Sequence, residues 1–110
     1  MKVNITARHF KAKDTLQAYI GERAEVLSKY HEDILFTDVI LSYDKPPLDT
    51  KHCEIVLKLR DKKITAKEIG TDFQQAVDNA LSKVEVQLYK HKDKIKHLKH
   101  DNSNNNFKST

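Results

Sequence analysis

The residues of this chain best suited to a chemical role are lysines that are concentrated near its C-terminal end. Residues 90–100 carry five lysines and one aspartate, a surplus of four positive charges that equals the formal net charge of +4 for the whole chain. Such a patch suits a polyanion, because phosphates attract lysines and binding releases condensed counterions. A solubilising tail is the alternative interpretation, and charge alone does not separate the two.

Helical geometry sorts the polar residues of the same segment by sign. At 100° per residue, one flank of the predicted helix carries Asn79, Lys83, Lys90, Lys94 and His97. Asp78 and Glu85 fall on the opposite side of the helix. A helix that is merely solvated mixes its charges, because pairs three or four residues apart stabilise it. The separation therefore favours contact with a nucleic-acid backbone over simple solvation.

Arg23 is a further candidate, on an earlier predicted helix and close to that helix's apolar stripe. A charged side chain in such a place either extends past the core to water or lines a groove. If the two helices lie side by side, we expect Arg23 to face the gap between them, near the basic flank of the later helix. A surface arginine whose stem packs on the core is the alternative.

Other kinds of site are not favoured. Cys53 alternates with aliphatic residues and is typical of a small core residue rather than a nucleophile. His97 and His100 have a same-face spacing, but no carboxylate or cysteine completes a metal site. Tyr89 is the one aromatic residue expected to project from the basic helix, so recognition through stacked aromatics is not favoured either. We expect no enzyme activity, no metal and no cofactor.

The elements that would position these residues follow from periodicity. Alternating apolar residues predict strands at 2–7, 36–43, 52–60 and 64–69, with the last two forming a hairpin. A helix is predicted from Asp14, with Gln17 completing a capping box, and its apolar stripe is Leu16, Tyr19, Ile20, Ala24, Leu27 and Tyr30. A second helix is predicted from Thr71, with Gln74 completing the box, and its stripe is Phe73, Val77, Ala80, Leu81, Val84 and Leu88.

This order predicts an α+β fold, a two-layer β-α-β-β-β-α domain in which both helices lie on one face of a four-stranded sheet. We expect one domain at 1–100 and a disordered polar tail at 101–110. A single cysteine, no signal-peptide pattern and no stretch of membrane-spanning length together indicate a cytoplasmic protein.

Several short segments resemble one protein family over nearly the whole predicted domain. They are Asn4-Ile5-Thr6, the turn into Asp72, Ala76-Val77-Asp78, Lys83, Gln87-Leu88 and, most specifically, the Lys90-His91-Lys92-Asp93-Lys94 block. In these residues the chain resembles the ribosome hibernation-promoting factor and ribosome-associated inhibitor family, also called sigma modulation proteins, in its short form.

The resemblance implies a stationary-phase or stress factor that binds the small ribosomal subunit in the channel for messenger and transfer RNA. It would inhibit translation without catalysis, have no membrane or small-molecule partner, and be monomeric off the ribosome. With the charge pattern, it gives the predicted RNA-binding residues Arg23, Lys83, Lys90, Lys92, Lys94 and Lys96. Val26, Val86 and Gln74 depart from the family pattern, which predicts a thinner cationic surface in mid-helix.

Two alternatives stay open at this point. A general double-stranded RNA-binding module also has a basic last helix after a run of strands, although such modules usually place lysines at the start of that helix. A protein-binding regulator, acting for example on a sigma factor, would use the lysines only for solvation.

Overall fold

The structure, a computed structural model, describes residues 2–99, with side chains described for residues 2–92. Its elements are β1 (Lys2–Ala7), α1 (Asp14–Tyr30), β2 (Ile34–Tyr43), β3 (Lys51–Leu59), β4 (Lys63–Gly70) and α2 (Phe73–Lys99). The strands form one sheet in the order β1-β2-β3-β4, with β1 parallel to β2 and the other neighbours antiparallel. The predicted α+β fold is confirmed, and the tail predicted at 101–110 lies outside the described residues.

The core lies between the sheet and the helices, where the buried faces of the strands contact the apolar stripes of the helices. Alternate residues of β3 are fully buried because a strand directs every second side chain to one face: Cys53, Ile55, Leu57 and Leu59. The stripe predicted for α2 is buried at Val77, Ala80, Leu81, Val84 and Leu88, and Phe73 packs against it at the edge. Burial of this stripe holds α2 against β3 and β4, while α1 contacts β1 and α2.

The helix starts differ from the predicted capping boxes. The N-cap of α1 is Lys13, which makes no side-chain cap hydrogen bond, and Asp14 is the first helical residue. A carboxylate there still interacts favourably with the helix dipole. In α2 the box lies one residue later than predicted, because the carboxylate of Asp72 accepts from the Gln75 backbone N–H at 2.8 Å. The side chain of Gln75 in turn accepts from the Thr71 backbone N–H at 2.7 Å.

A close approach fixes the passage from β4 into α2. A Cβ atom on Gly70 would lie 2.6 Å from the backbone nitrogen of Ala76, which is closer than real Cβ contacts allow. Glycine therefore permits β4 to turn directly beneath the first turn of α2. This junction sets where α2 begins along the sheet and hence where its flanks lie.

Tyr30 was predicted to lie in the apolar stripe of α1, and this prediction is wrong. Its side chain is 72% exposed, whereas the following residue, the C-cap His31, is 95% buried. Tyr30 sits at the margin of the stripe in the last turn, and the chain bends after it, so His31 takes the inward position. The C-terminal end of α1 therefore presents an aromatic ring to solvent.

Candidate nucleic-acid interface

The basic flank of α2 faces the open edge of the sheet. Together with β4 it forms a shallow groove, here called the edge groove, lined by Glu68, Asn79, Ser82, Lys83, Val86, Gln87 and Lys90. β4 is an edge strand, so its outer side has no neighbouring strand. The described part of the basic flank, Asn79, Lys83 and Lys90, is thus brought together on one side of α2 as the helical spacing predicts.

Two amides of α2 cap the edge of β4. The backbone N–H of Leu59 donates to the carbonyl of Lys62 and closes the β3–β4 turn. Because hydrogen-bonded and non-hydrogen-bonded pairs alternate along antiparallel strands, the even-numbered residues of β4 bond to β3, and the carbonyls of its odd-numbered residues point outward. The Asn79 side chain donates to the Ile69 carbonyl at 2.9 Å. The Gln87 side chain donates to the Thr65 carbonyl at 3.1 Å. An uncapped edge strand invites pairing with other chains, so these two residues protect the edge and have a structural role.

Lys83 and Lys90 are the cations that remain available on this flank. The Lys83 ammonium lies 3.7 Å from a carboxylate oxygen of Glu68, and the Lys83 side chain is 64% exposed. An exposed ion pair at that distance contributes little and yields readily to a phosphate. Lys90 is exposed one turn beyond Gln87. Both ammonium groups can reach a ligand that lies along the outer side of α2.

Arg23 does line the gap between the helices, as predicted, but its neighbours are acidic rather than basic. The inter-helix groove is lined by Arg23, Val26, Leu27, Leu81 and Glu85. The expectation that Arg23 lies near the basic flank of α2 is wrong, because α2 turns that flank toward β4 and its acidic flank toward α1. Lys83 and Lys90 therefore lie on the side of α2 that faces β4, and Arg23 lies beside the side that faces α1; these two sides are here called the shoulders of α2.

A contact between the helices holds this acidic flank in place. The hydroxyl of Tyr19 donates to a carboxylate oxygen of Asp78 at 2.5 Å. That hydrogen bond, with the burial of the phenol, raises the pKa of Tyr19 above 10.0. The Arg23 guanidinium carbon lies 6.0 Å from the centre of the Tyr19 ring. Arg23 is thus positioned by an ordered neighbour and remains exposed to solvent.

Lys92 lies on the side of α2 that faces α1, not on the basic flank. Its ammonium donates to the backbone carbonyl of Tyr30 at 3.1 Å, which satisfies one of the carbonyls left free at the end of α1. Lys94 and Lys96 lie within α2, but their side chains are outside the described set. Of the six predicted binding residues, the structure places two on each shoulder of α2.

Two buried histidines, one at the end of α1 and one within α2, lie at the C-terminal half of α2, and neither was predicted as core. His31 packs edge-on against the Tyr89 ring, with ring centres 6.2 Å apart, and its Nδ1 has no hydrogen-bond partner. His91 is 92% buried, and its Nε2 lies 3.4 Å from Asp61 in the β3–β4 turn. The sequence did contain a signal for His91, because it continues the stripe three residues after Leu88. Together the histidines connect the basic end of α2 to both neighbouring elements.

Within the described residues, no group of three or more histidine, cysteine, aspartate and glutamate side chains is placed to hold a metal ion. None of the helices in the described part of the chain is both long and apolar enough to span a membrane. Cys53 is fully buried, and burial raises the pKa of its thiol to about 12, so the reactive thiolate is strongly disfavoured.

The match to a family model decides which proteins this chain is related to. Residues 3–96 match the family described as Sigma 54 modulation protein / S30EA ribosomal protein. The chain belongs to this family. The match covers all four strands except Lys2, the first residue of β1, and reaches into the C-terminal turns of α2.

Curated relatives extend the comparison to whole proteins. The chain is 29% identical over 96 residues to a ribosome hibernation promoting factor of Escherichia coli K12, covering 87% of this chain and 98% of the relative. It is 30% identical over 94 residues to the factor of the same name from Azotobacter vinelandii, covering 86% of this chain and 85% of the relative.

Solved structures share the fold of this family member. A ribosomal subunit interface protein from Coxiella burnetii superposes with a TM-score of 0.77 at 22% identity, covering 84% of this chain and 99% of that one. The N-terminal domain of Thermus thermophilus Protein Y gives a TM-score of 0.72 at 22% identity, covering 83% and 99%. The two-layer arrangement is therefore common to proteins of widely differing sequence.

His31 gives a prediction about the pH dependence of stability. Burial, together with the nearby Lys92 charge, lowers its pKa below 6.5, despite opposing effects from Asp33 and Glu85. As the pH falls through 6.5, the unfolded chain therefore takes up this proton first, and the stabilisation from neutral His31 is lost. We expect the free energy of unfolding to decrease between about pH 7.5 and about pH 5.5, and to decrease less in His31→Gln.

Urea denaturation of both proteins at the two pH values measures this difference. The other titrating groups are common to both proteins, so their contributions cancel in the comparison. An identical pH dependence in wild type and His31→Gln would show that His31 is not held neutral by burial.

Proposed function

We propose that this protein is a ribosome-associated hibernation factor that binds the small ribosomal subunit in the mRNA and tRNA channel and inhibits translation without catalysis. Its membership of the family and the names of its relatives support the ribosome as partner. Action on ribosomes would place the protein in the cytoplasm. The observation that carries the proposal of an RNA contact is the sorting of cations on α2, beside a sheet edge that is already capped.

The proposed contact surface is the outward side of the helical layer. Lys83 and Lys90 line one shoulder of α2, and Arg23 with Lys92 lies on the other. Between the shoulders, the exposed ridge of α2 carries no acidic residue from Val86 to Lys92. We include Lys94 and Lys96 because they extend the same helix. A phosphate backbone crossing this ridge would meet ammonium groups on both sides.

Exposed valines fit the expectation of a thinner cationic surface in mid-helix. Val26 is 53% exposed and Val86 is 52% exposed, and both are positions at which the chain departs from the pattern that the family resemblance implies. The positive charge is therefore concentrated toward the C-terminal end of α2. This makes Lys90 and Lys92 the described cations on which binding should depend most.

The proposal predicts a steep response of binding to salt. If Arg23, Lys83, Lys90 and Lys92 each neutralise one phosphate, a fourfold rise in salt should weaken binding to small subunits by about a hundredfold. Sucrose-gradient sedimentation of the protein with purified subunits at two salt concentrations measures the change. A nearly flat response would contradict electrostatic binding to RNA.

The same gradients separate the two alternatives. When an excess of a free RNA duplex is added, a general double-stranded RNA binder would leave the small subunits for the duplex, whereas the proposed factor would remain with the subunits. A regulator of a sigma factor would remain at the top of the gradient at both salt concentrations.

A further inference from the structure

The two most exposed aromatic rings of the described chain emerge on either side of one contact between the helices. Tyr30 is 72% exposed at the end of α1, and Tyr89 is 70% exposed on α2. The residue after Tyr30 is His31, whose ring packs against that of Tyr89, and Lys92 binds the carbonyl of Tyr30. We propose that Tyr30 and Tyr89 form a stacking surface for unpaired bases of RNA. This inference rests on the proposed function and specifies the kind of RNA that this end of the molecule contacts.

The Tyr89 ring has one contact with a buried neighbour. His31 meets it edge-on, with an interplanar angle of 89°, and is itself 95% buried between the helices. A contact that restricts the rotamers of a side chain reduces the conformational entropy lost on binding, so more of its contact energy is realised as affinity. His31 therefore contacts one side of the Tyr89 ring, while Tyr89 remains 70% exposed to solvent.

Lys92 lies beside Tyr30 through its hydrogen bond to the Tyr30 carbonyl, and further lysines neighbour both tyrosines in the sequence, which favours an RNA partner over an apolar one. Lys29 precedes Tyr30, and Lys90 follows Tyr89; both are exposed, as is Lys92. Aromatic rings interleaved with lysines are typical of surfaces that bind single strands, where bases stack and phosphates pair with ammonium groups. Glu85 lies one turn before Tyr89 and repels phosphate there. The strand would thus run toward the lysine-rich end of α2.

A duplex cannot use these rings, because its bases are stacked on one another inside the helix. The proposal therefore predicts a preference for unpaired RNA that a purely electrostatic surface does not have. The proposal also predicts different effects on affinity and on its salt dependence. The salt dependence reports phosphate contacts, and the loss of an aromatic ring leaves those contacts in place.

The test compares leucine and phenylalanine variants at the two tyrosines. Tyr30→Leu and Tyr89→Leu should each weaken binding to a single-stranded oligouridine by about tenfold, because stacking on the ring is lost. Tyr30→Phe and Tyr89→Phe should bind as wild type does, since they keep the ring. The salt dependence should be unchanged in all four variants. Fluorescence anisotropy with oligouridine and with an RNA duplex of the same length provides the affinities.

Tyr43→Leu is the matched control. Tyr43 is partly exposed at the end of β2 and packs against Phe10 rather than beside the lysines of α2. Its loss should leave affinity for oligouridine unchanged, and a melting curve for each variant verifies folding. Leucine variants that bind oligouridine as wild type does would overturn the proposal, as would phenylalanine variants that lose as much as leucine variants. Equal losses on oligouridine and duplex would also overturn it.

The outcome for this surface is distinguishable from the outcome for the proposed function. If wild type fails to sediment with small subunits but prefers oligouridine with the expected dependence on Tyr30 and Tyr89, the assignment to the ribosome fails and the stacking surface stands. If all leucine variants sediment with subunits and bind oligouridine as wild type does, the ribosome assignment stands and the stacking surface fails. Concentration-dependent self-association that disappears in the leucine variants would assign the rings to a dimer contact and overturn the proposal.

Discussion

Lys83→Glu combined with Lys90→Glu is expected to abolish association with small ribosomal subunits and inhibition of translation. Both side chains line the edge groove on the same shoulder of α2, and both are exposed. Reversal replaces two attractions to phosphate by two repulsions, and like charges at an interface cost several kcal/mol. We expect affinity to fall by about a hundredfold or more at moderate salt. Co-sedimentation with purified subunits measures it.

The matched control reverses two lysines on the opposite face of the sheet. Lys2 and Lys58 both lie beside Phe36 in the register, Lys2 from β1 and Lys58 from β3, on the face turned away from the helices. Reversal of either pair takes the formal net charge from +4 to zero, so a model based on net charge treats the pairs alike. The control should reduce binding only modestly, through the long-range field.

The β3–β4 turn region is a poorer place for such a control, although it also carries two lysines, one in the turn and one at the first position of β4. Lys62 and Lys63 lie next to Asp61, which contacts His91 of α2, so the turn is close to the basic end of the helix. A loss of binding in the sheet-face variant as severe as in the helix variant would show that the proposed surface is wrong. Both variants need melting curves, so that loss of binding is attributed to charge and not to unfolding.

Much of the fold was predictable because it depends on local periodicity. The alternation in β3 and the stripe of α2 both specify which side chains must be buried, and they are buried at Ile55, Leu57, Val84 and Leu88. The helix caps were less predictable, since several neighbouring residues are competent caps. At the start of α2, both Thr71 and Asp72 are competent, and the close packing at Gly70 accompanies the choice of Asp72.

The arrangement of the candidate site was only half predictable. Helical spacing places Lys83 and Lys90 on one flank of α2, and the structure agrees. Spacing within one helix does not say which flank faces its neighbour, because that depends on how α2 lies across the sheet. Arg23 was therefore assigned the wrong neighbours. The exposure of Tyr30 has a similar cause, since the inward position after the last turn of α1 is taken by His31 only once the chain bends.

Leu88→Ala should cause the largest loss of stability among the substitutions considered, and it should lose binding only at temperatures where it unfolds. Leu88 is fully buried on α2, two residues before Lys90. Removal of a buried leucine side chain costs about 2–5 kcal/mol, which is a large fraction of the stability of a small domain. We expect the melting temperature to fall by roughly 10–25 °C, and Leu81→Ala to behave similarly.

Lys90→Ala is the control that separates packing from charge on the same turn of α2. Its side chain is exposed, so its removal should leave the melting temperature nearly unchanged while weakening binding to the small subunit. Thermal melts, with binding measured at a temperature where all variants are folded, therefore distinguish the two faces of the helix. At that temperature Leu88→Ala should bind nearly as wild type does, because its cations are intact. Equal thermal shifts for Leu88→Ala and Lys90→Ala would show that the buried stripe is misassigned, and with it the outward direction of the lysines.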